Sequence, residues 1–443
     1  MYLHQAIIRN IRSIKEFELK FEQDEFAGWH VLLGDNGAGK STLVRSIALA
    51  LAGPAEAAAL RQDWSDWLRK GETEGSIFLQ IDHDPMLDKV SSPGKPVKKW
   101  YVEAALKFHP VEAPNGPPVA MSAANTTPDP WRYIWGQAAG WFCASYGPFR
   151  RFSGGDKTYE KLFYSNPRLA PHLTAFGEDV ALTEALAWLQ TLYVKDLEDQ
   201  HNHLKDQPSG QILAALKTFI NRGKLLPHGT ELVEVTSAGV LFRDGTGATV
   251  LVDQLSDGYR SVLSMTFELV RQMVRTYGQE HVFRQIRRGE MEIDLPGVVL
   301  IDEVDAHLHP PWQRRIGGWF CKYFPKLQFL VTTHSPLVCQ AAEKGSVWRL
   351  PTPGNDSSGG RVQGDELKRL IYGNVLEAYS TEMFGQDVNR SDAAAAKLQR
   401  LAFLNGKSLR RGLDPKEEEE LQELRAALPT AGNAVEAANG EAE

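Results

Sequence analysis

Apolar and polar positions along the chain change period several times, and each change marks an element. Residues 2–23 alternate, with Ala6, Ile7 and Ile8 and then Ile14, Phe17, Leu19 and Phe21 on the apolar side. This predicts a hairpin-like pair of strands. Residues 30–33 read as a strand and residues 43–52, L-V-R-S-I-A-L-A-L-A, as an apolar helix. Trp64 and Trp67 sit in a short amphipathic segment, and residues 76–82 and 99–108 are strand candidates for an antiparallel layer beside the main sheet. The polar, proline-rich stretches 91–97 and 110–131 are expected as surface loops. Residues 140–149 read as a core strand ending in a turn. Residues 156–225 are mostly helical in pattern, with an apolar stripe over 181–194. Residues 231–252 alternate again, and a helix is expected over 261–275. The short runs 298–301 and 328–333 suit parallel strands buried on both faces. Beyond residue 350 come a loop at 351–360, helical patterns at 364–383, 390–401 and 416–428, and a tail rich in Ala, Gly and Glu that is expected to be disordered.

Chemistry enters where strands end. Residues 34–42, G-D-N-G-A-G-K-S-T, match G-x-x-x-x-G-K-[ST] at every fixed position, between a strand and an apolar helix as that motif requires. Its backbone N–H groups and the helix dipole favour phosphate. Gly34, Asn36, Gly37, Ala38, Gly39, Lys40, Ser41 and Thr42 are therefore candidate ATP contacts. Lys40 would reach the β- and γ-phosphates and Ser41 would bind Mg²⁺. Asp302 and Glu303 emerge from the strand 298–301, where acids can hold a metal through water and orient an attacking water.

Three further features have two readings each. Ser256, Asp257 and Gly258, in L-S-D-G-Y-R, form either an ordinary N-cap or a second phosphate clamp at a helix start. His334, in T-T-H-S-P, is either structural or within reach of a γ-phosphate. Arg9, Asn10 and Arg12 are either solvated turn residues or nucleotide contacts.

Composition narrows the class. The 443 residues carry 42% hydrophobic and 24% charged side chains with a formal net charge of −7, which argues against a uniformly basic nucleic-acid binder. The basic pairs Lys98-Lys99, Arg150-Arg151, Arg287-Arg288 and Arg410-Arg411 leave room for a local DNA or RNA surface. Three widely spaced cysteines give neither a disulfide framework nor a zinc motif and fit a reducing cytoplasm. No run approaches the roughly 18 apolar residues of a membrane helix, and the alternating N-terminus is not a signal peptide, so no membrane partner is expected.

In order, the P-loop, L-S-D-G-Y-R, I-D-E, D-A-H-L-H-P and T-T-H-S-P resemble the ABC-type ATPase heads of the RecF and SMC kind, over roughly residues 1–345. With N-I-R-S-I and S-Y-G-P-F-R the set looks more narrowly like the AAA-15/AAA-21 group. That group includes OLD-family proteins and the ATPase subunits of anti-phage systems such as Septu and some retrons. The resemblance implies an α/β P-loop NTPase with an ABC-type head: a mixed central sheet, an antiparallel β layer and a helical insertion at about 156–225. A helical region at 346–428 and an acidic tail at 429–443 would follow. By position it makes Asp302 the acid that supports Mg²⁺, Glu303 the base, and His334 the switch at the γ-phosphate. Asp305 becomes part of the loop that crosses between subunits. Ser256, Asp257 and Gly258 become the signature that closes on ATP held by the other subunit of a homodimer. No glutamine stands in S-Y-G-P-F-R, where the family's glutamine loop is expected, and Gln137 is a distant candidate. The H-L-H-P turn belongs to the same pattern, which disfavours zinc at His307 and His309.

The function so implied is an ATP-driven dimeric switch in anti-phage defence or DNA maintenance that senses nucleic acid and controls a nuclease partner in trans. The alternatives are the nucleotide-binding subunit of an ABC transporter and a self-sufficient OLD-like nuclease. No convincing Toprim acid set follows His334; Asp365-Glu366 is the nearest approach.

Overall fold

The alternation at the start of the chain becomes a hairpin. β1 (Tyr2–Ile11) pairs antiparallel with β2 (Ile14–Lys20), with Ala6 opposite Leu19 and Ile8 opposite Phe17, so the apolar side chains share one buried face. β3 (Gly28–Leu33) enters a different sheet and leads through the glycine loop into α1 (Lys40–Ala52). β4 (Gly75–Asp82) returns to pair with β1, and β5 (Tyr101–Pro110) pairs with β4. Val119–Ala123, inside a stretch expected to be loop, is a further strand, β6, with Met121 opposite Phe108. V-A-M-S-A has no alternation to announce a strand; it forms because β5 offers a free edge. The layer is a five-stranded antiparallel sheet in the order β2-β1-β4-β5-β6. The structure is a computed structural model that describes residues 1–91, 101–112, 119–136, 139–152, 161, 162, 164–177, 180, 182–203, 208–354, 359–374, 378 and 392–427.

The middle of the chain supplies β7 (Cys143–Tyr146), the helices α2 (Thr183–His201) and α3 (Pro208–Arg222), and a three-stranded antiparallel sheet. The strands of that sheet are β8 (Glu231–Thr236), β9 (Gly239–Arg243) and β10 (Thr249–Leu251). α4 (Asp257–Tyr277), β11 (Gly297–Ile301), α5 (Pro310–Tyr323) and β12 (Leu327–Thr332) follow. β13 (Gly345–Arg349), β14 (Gly360–Arg361) and α6 (Gly364–Tyr372) complete the first compact unit.

The central sheet has the order β14-β13-β3-β12-β11-β7, parallel except for β14. Every residue of β3, β11 and β12 is buried, the polar His30, Gln328 and Thr332 included. α1 lies between the two sheets. Its Leu43, Val44, Ile47 and Leu51 share one core with Leu3, Ile8, Leu79 and Leu106 of the antiparallel layer and with Val298, Leu300 and Leu330 of the central sheet. On the opposite face α5 comes close to β3: a Cβ on Gly317 would meet Ala341 Cβ at 2.4 Å and Trp29 Cε2 at 2.8 Å.

The first unit spans Met1–Tyr372, so it reaches beyond residue 345, where the sequence suggested that the head ends. The reason is β13, which pairs along β3 with Val347 opposite Val31 and extends the sheet. The second unit is Gly373–Glu443. In it α7 (Asp392–Arg411) and α8 (Pro415–Ala427) pack Leu401 and Leu404 against Leu421 and Leu424, and Arg400 forms an ion pair with Glu420 at 2.7 Å. Residues 429–443 lie outside the described residues, as do 375–377 and 379–383 of the helix expected over 364–383.

Candidate nucleotide site

Parallel pairing sets the site. β12 lies beside β3 with Thr332 opposite Leu32, and β11 lies beside β12 with Ile301 opposite Val331. The glycine loop, the acidic turn and T-T-H-S therefore leave the sheet side by side at its carboxyl end, where open α/β sheets bind ligands.

The loop is shaped for a phosphate. Gly37 and Gly39 have φ of 81° and 99°, a region that costs a side chain but not glycine. A Cβ on Gly39 would also meet Ile14 Cγ1 and Ser13 Oγ at 2.8 Å each, so the turn of the first hairpin packs against the loop. Gly39 caps α1 without a side chain, the first helical hydrogen bond runs from Leu43 N to Gly39 O, and Ala38 N donates to Asp35 O at 3.1 Å. Lys40, only 7% exposed, donates from Nζ to Gly34 O at 2.7 Å and to Asp35 O at 3.1 Å. Burial lowers its pKa, against the opposing pull of Asp302, Glu303, Asp35 and Asp305. A phosphate fits a glycine loop at a helix start whose buried ammonium is held, among the described residues, by carbonyls alone. Among the candidate contacts, Asn36 and Gly37 are exposed, Ala38 and Thr42 are buried, and Ser41 is partly exposed.

The acidic turn is held from beneath. Asp302 is buried and accepts a 2.6 Å bond from Thr332 Oγ1, which in turn accepts from Glu303 N at 2.7 Å. Glu303 is partly exposed with φ of 47°, an unusual conformation for a residue with a side chain. Asp305 Oδ1 accepts from Thr333 Oγ1 at 2.5 Å. His334 stands exposed between Thr333 and Ser335, both anchored by hydrogen bonds. Asp302 and the Ser41 hydroxyl are hard oxygen donors of the kind Mg²⁺ takes, with the remaining positions left to water and phosphate.

L-S-D-G-Y-R is placed elsewhere. Ser256 is exposed and holds the N-cap position of α4, but its side chain does not cap the helix. Asp257 is ion-paired with Arg260. Ser256, Asp257 and Gly258 line a pocket of about 750 Å³ with His307, His309 and Trp312. Gly258 approaches the acidic turn so closely that a Cβ would lie 2.7 Å from His307 O. Gly37 and Ala38 line a different pocket, of about 670 Å³, with Ser13, Lys15, Arg69 and Pro353. The two halves thus open into separate pockets of one chain.

Other basic and turn residues have partners within the chain. Arg150, counted among basic pairs for nucleic acid, is 4% exposed and hydrogen-bonded inside the site. Arg287 pairs with Glu280. Arg9 pairs with Glu16, Asn10 donates to Glu74 O, and the Arg12 guanidinium lies 4.6 Å from the Trp67 ring centroid. Gln137, Lys98 and Lys99 lie outside the described residues, as do the side chains of Arg410 and Arg411. Arg150, Thr332 and Thr333 went unnoticed as site residues. The only signals were an arginine at the end of S-Y-G-P-F-R and hydroxyls at the end of an apolar strand.

Comparison with known proteins agrees with this geometry. The family model "AAA domain, putative AbiEii toxin, Type IV TA system", AAA_21, matches residues 156–340, and the AAA domain model AAA_23 matches residues 6–82. Both are AAA domain models, and each matches less than half of the chain. The chain is 25% identical over 349 residues to the Septu protein PtuA of Bacillus mycoides (strain KBAB4), a match that covers 78% of the chain and 40% of that protein. It is 34% identical over 110 residues to the Retron Ec83 probable ATPase of Escherichia coli, covering 25% of the chain and 19% of that protein. The chain therefore spans well under half the length of these relatives. Among solved structures, an SMC head bound to the C-winged helix domain of ScpA aligns over 82% of the chain and 98% of its own, with 14% identity and a TM-score of 0.45.

Proposed function

We propose that the protein binds ATP with Mg²⁺ at the glycine loop and hydrolyses it in a site completed by the signature of a second copy. The observation that carries this reading is Lys40, buried in the loop under the joint influence of Asp302, Glu303 and Asp305 at the ends of adjacent parallel strands. Lys40 would exchange Gly34 O and Asp35 O for phosphate oxygens as ATP enters. Ser41 and Asp302 would hold the cation, whose positive charge offsets charge on the phosphates. Glu303, carried out of the sheet by its left-handed backbone, orients and deprotonates water, and His334 marks the γ-phosphate from the next strand. Ser256, free of capping duty and opening into a separate pocket, supports closure on a partner's nucleotide.

On this reading the protein is a homodimeric switch of cytoplasmic anti-phage defence that senses DNA or RNA and controls a nuclease subunit. The likeness to Septu and retron ATPases supports that role. Among the described residues no single helix is long and apolar enough to cross a membrane.

The test is a pair of variants. Lys40→Ala should lose ATP binding in calorimetry. Glu303→Gln should bind ATP normally while hydrolysis falls by about 10²–10⁴, the usual contribution of a positioned base. Wild-type turnover in Glu303→Gln would refute the assignment of the base.

A further inference from the structure

Arg150 is a buried cation whose hydrogen-bonded acceptors among the described residues are all uncharged. Its Nη1 donates to Gly147 O and Asp302 O at 2.9 Å each, and its Nη2 donates to Glu303 O at 3.0 Å and Val304 O at 3.5 Å. On the other side, Nε donates to Ser261 Oγ at 3.0 Å. Ser261 is 1% exposed and lies in α4 little more than one turn beyond Ser256–Gly258. A planar guanidinium with fixed donor directions thus spans three segments: the loop after β7, the acidic turn after β11, and the start of α4. Burial lowers its pKa to about 10, with Asp302, Asp305 and Glu303 opposing, so it stays charged at neutral pH.

The geometry points to Arg150 as a positioning residue that ties the signature helix to the hydrolytic turn within one chain. It holds the backbone oxygens of Asp302, Glu303 and Val304, and so sets the direction of the Glu303 carboxylate without touching ATP. Through Ser261, a shift of α4 when the signature closes is passed to the turn that orients water. This rests on the reading of Glu303 as base. A lysine cannot replace the arginine, because one ammonium cannot reach acceptors on both sides.

The test uses Ser261→Ala, Ser261→Thr, Arg150→Lys and Glu303→Gln in the full chain, with steady-state ATPase and calorimetric ATP affinity. Ser261→Ala removes one hydrogen bond to a charged group and should lower kcat by roughly tenfold, with ATP affinity within about twofold of wild type. Ser261→Thr, which keeps the hydroxyl, should restore kcat. Arg150→Lys should lower kcat at least as far, and adding Ser261→Ala to it should change little, since both act through one link. The inference is overturned if Ser261→Ala keeps wild-type kcat while Glu303→Gln is slow, if the two losses add, or if affinity falls in step with kcat. Wild-type turnover in Glu303→Gln would overturn the assignment of the base and this inference together.

Discussion

At the scale of single residues, burial decides protonation. His30 and His172 are both fully buried, and burial lowers their pKa values to about 4 and about 3. The His30 ring must donate from Nε2 to Phe26 O at 3.0 Å, because a carbonyl only accepts, and so Nδ1 accepts from Ser346 Oγ at 2.8 Å. His172 Nδ1 lies 2.8 Å from Ser145 Oγ and Nε2 lies 3.4 Å from Cys143 Sγ. Protonation would strip His30 of an acceptor and place a charge in the core beside β3. The unfolded chain takes up these protons near pH 6.5, well above the folded pKa values, so unfolding binds protons and stability rises with pH in that window. Read downward, stability is intact above about pH 6.5 and is lost as pH falls toward 4. The steepest slope should be about 1.4 kcal/mol per pH unit for each histidine. Chemical denaturation at pH 7, 5.5 and 4.5 checks this, and His172→Gln should flatten the slope by about one proton. An unchanged slope would mean that His172 is charged or exposed in the folded protein.

Elements are held by close approaches that patterning does not reveal. α5 contains two adjacent glycines with opposite surroundings. Gly317 is buried, and a Cβ there would lie 2.4 Å from Ala341 Cβ, whereas a Cβ on exposed Gly318 meets nothing within 4 Å. Gly317→Ala should therefore push α5 away from Trp29 and cost about 1–3 kcal/mol, the range for overpacking. Gly318→Ala should be neutral or stabilising by up to about 1 kcal/mol through helix propensity. Unfolding both variants in urea at equal slope separates the effects; equal stabilities would mean that α5 docks more loosely than it does in this structure. The same kind of contact placed β6. Nothing in V-A-M-S-A alternates, and only the free edge of β5 made it a strand. By contrast β11 was legible, since a continuous apolar run of strand length fits a strand covered on both faces, and β3 and α1 were legible as the strand and helix that the glycine loop must join.

For the whole molecule, the separation of the two pockets carries the consequence. If the pocket of Ser256 receives a partner's nucleotide, Ser256→Arg should leave ATP binding to the isolated chain intact while abolishing ATP-dependent dimerisation. Mixing Ser256→Arg with Lys40→Ala would create one site with an intact P-loop and an intact signature, and a second site with both broken. Recovery of ATPase activity on mixing, against near-zero activity of each variant alone, is the expected result. Wild-type activity of Ser256→Arg by itself would show that the site is complete within one chain. Light scattering with and without ATP reads the same event as a change in mass.

The sequence by itself determined where the glycine loop and the acidic turn fall, because a phosphate cradle needs its glycines and lysine in one contiguous stretch and a hydrolytic turn needs its acids at a strand end. Both are local in the chain, so spacing exposes them. The partners of those residues were decided only by the tertiary structure. Thr332 bridges Asp302 and Glu303 across two parallel strands, and Arg150 reaches a turn about 150 residues away and a helix start about 110 residues away. Two signals misled for the same reason. A pair of arginines reads as surface charge until a fold buries one of them among carbonyls, and the resemblance ends the head at residue 345, whereas β13 at Gly345–Arg349 pairs along β3. Hydrogen bonds between segments distant in the chain leave no period in it, and packing alone brings them together.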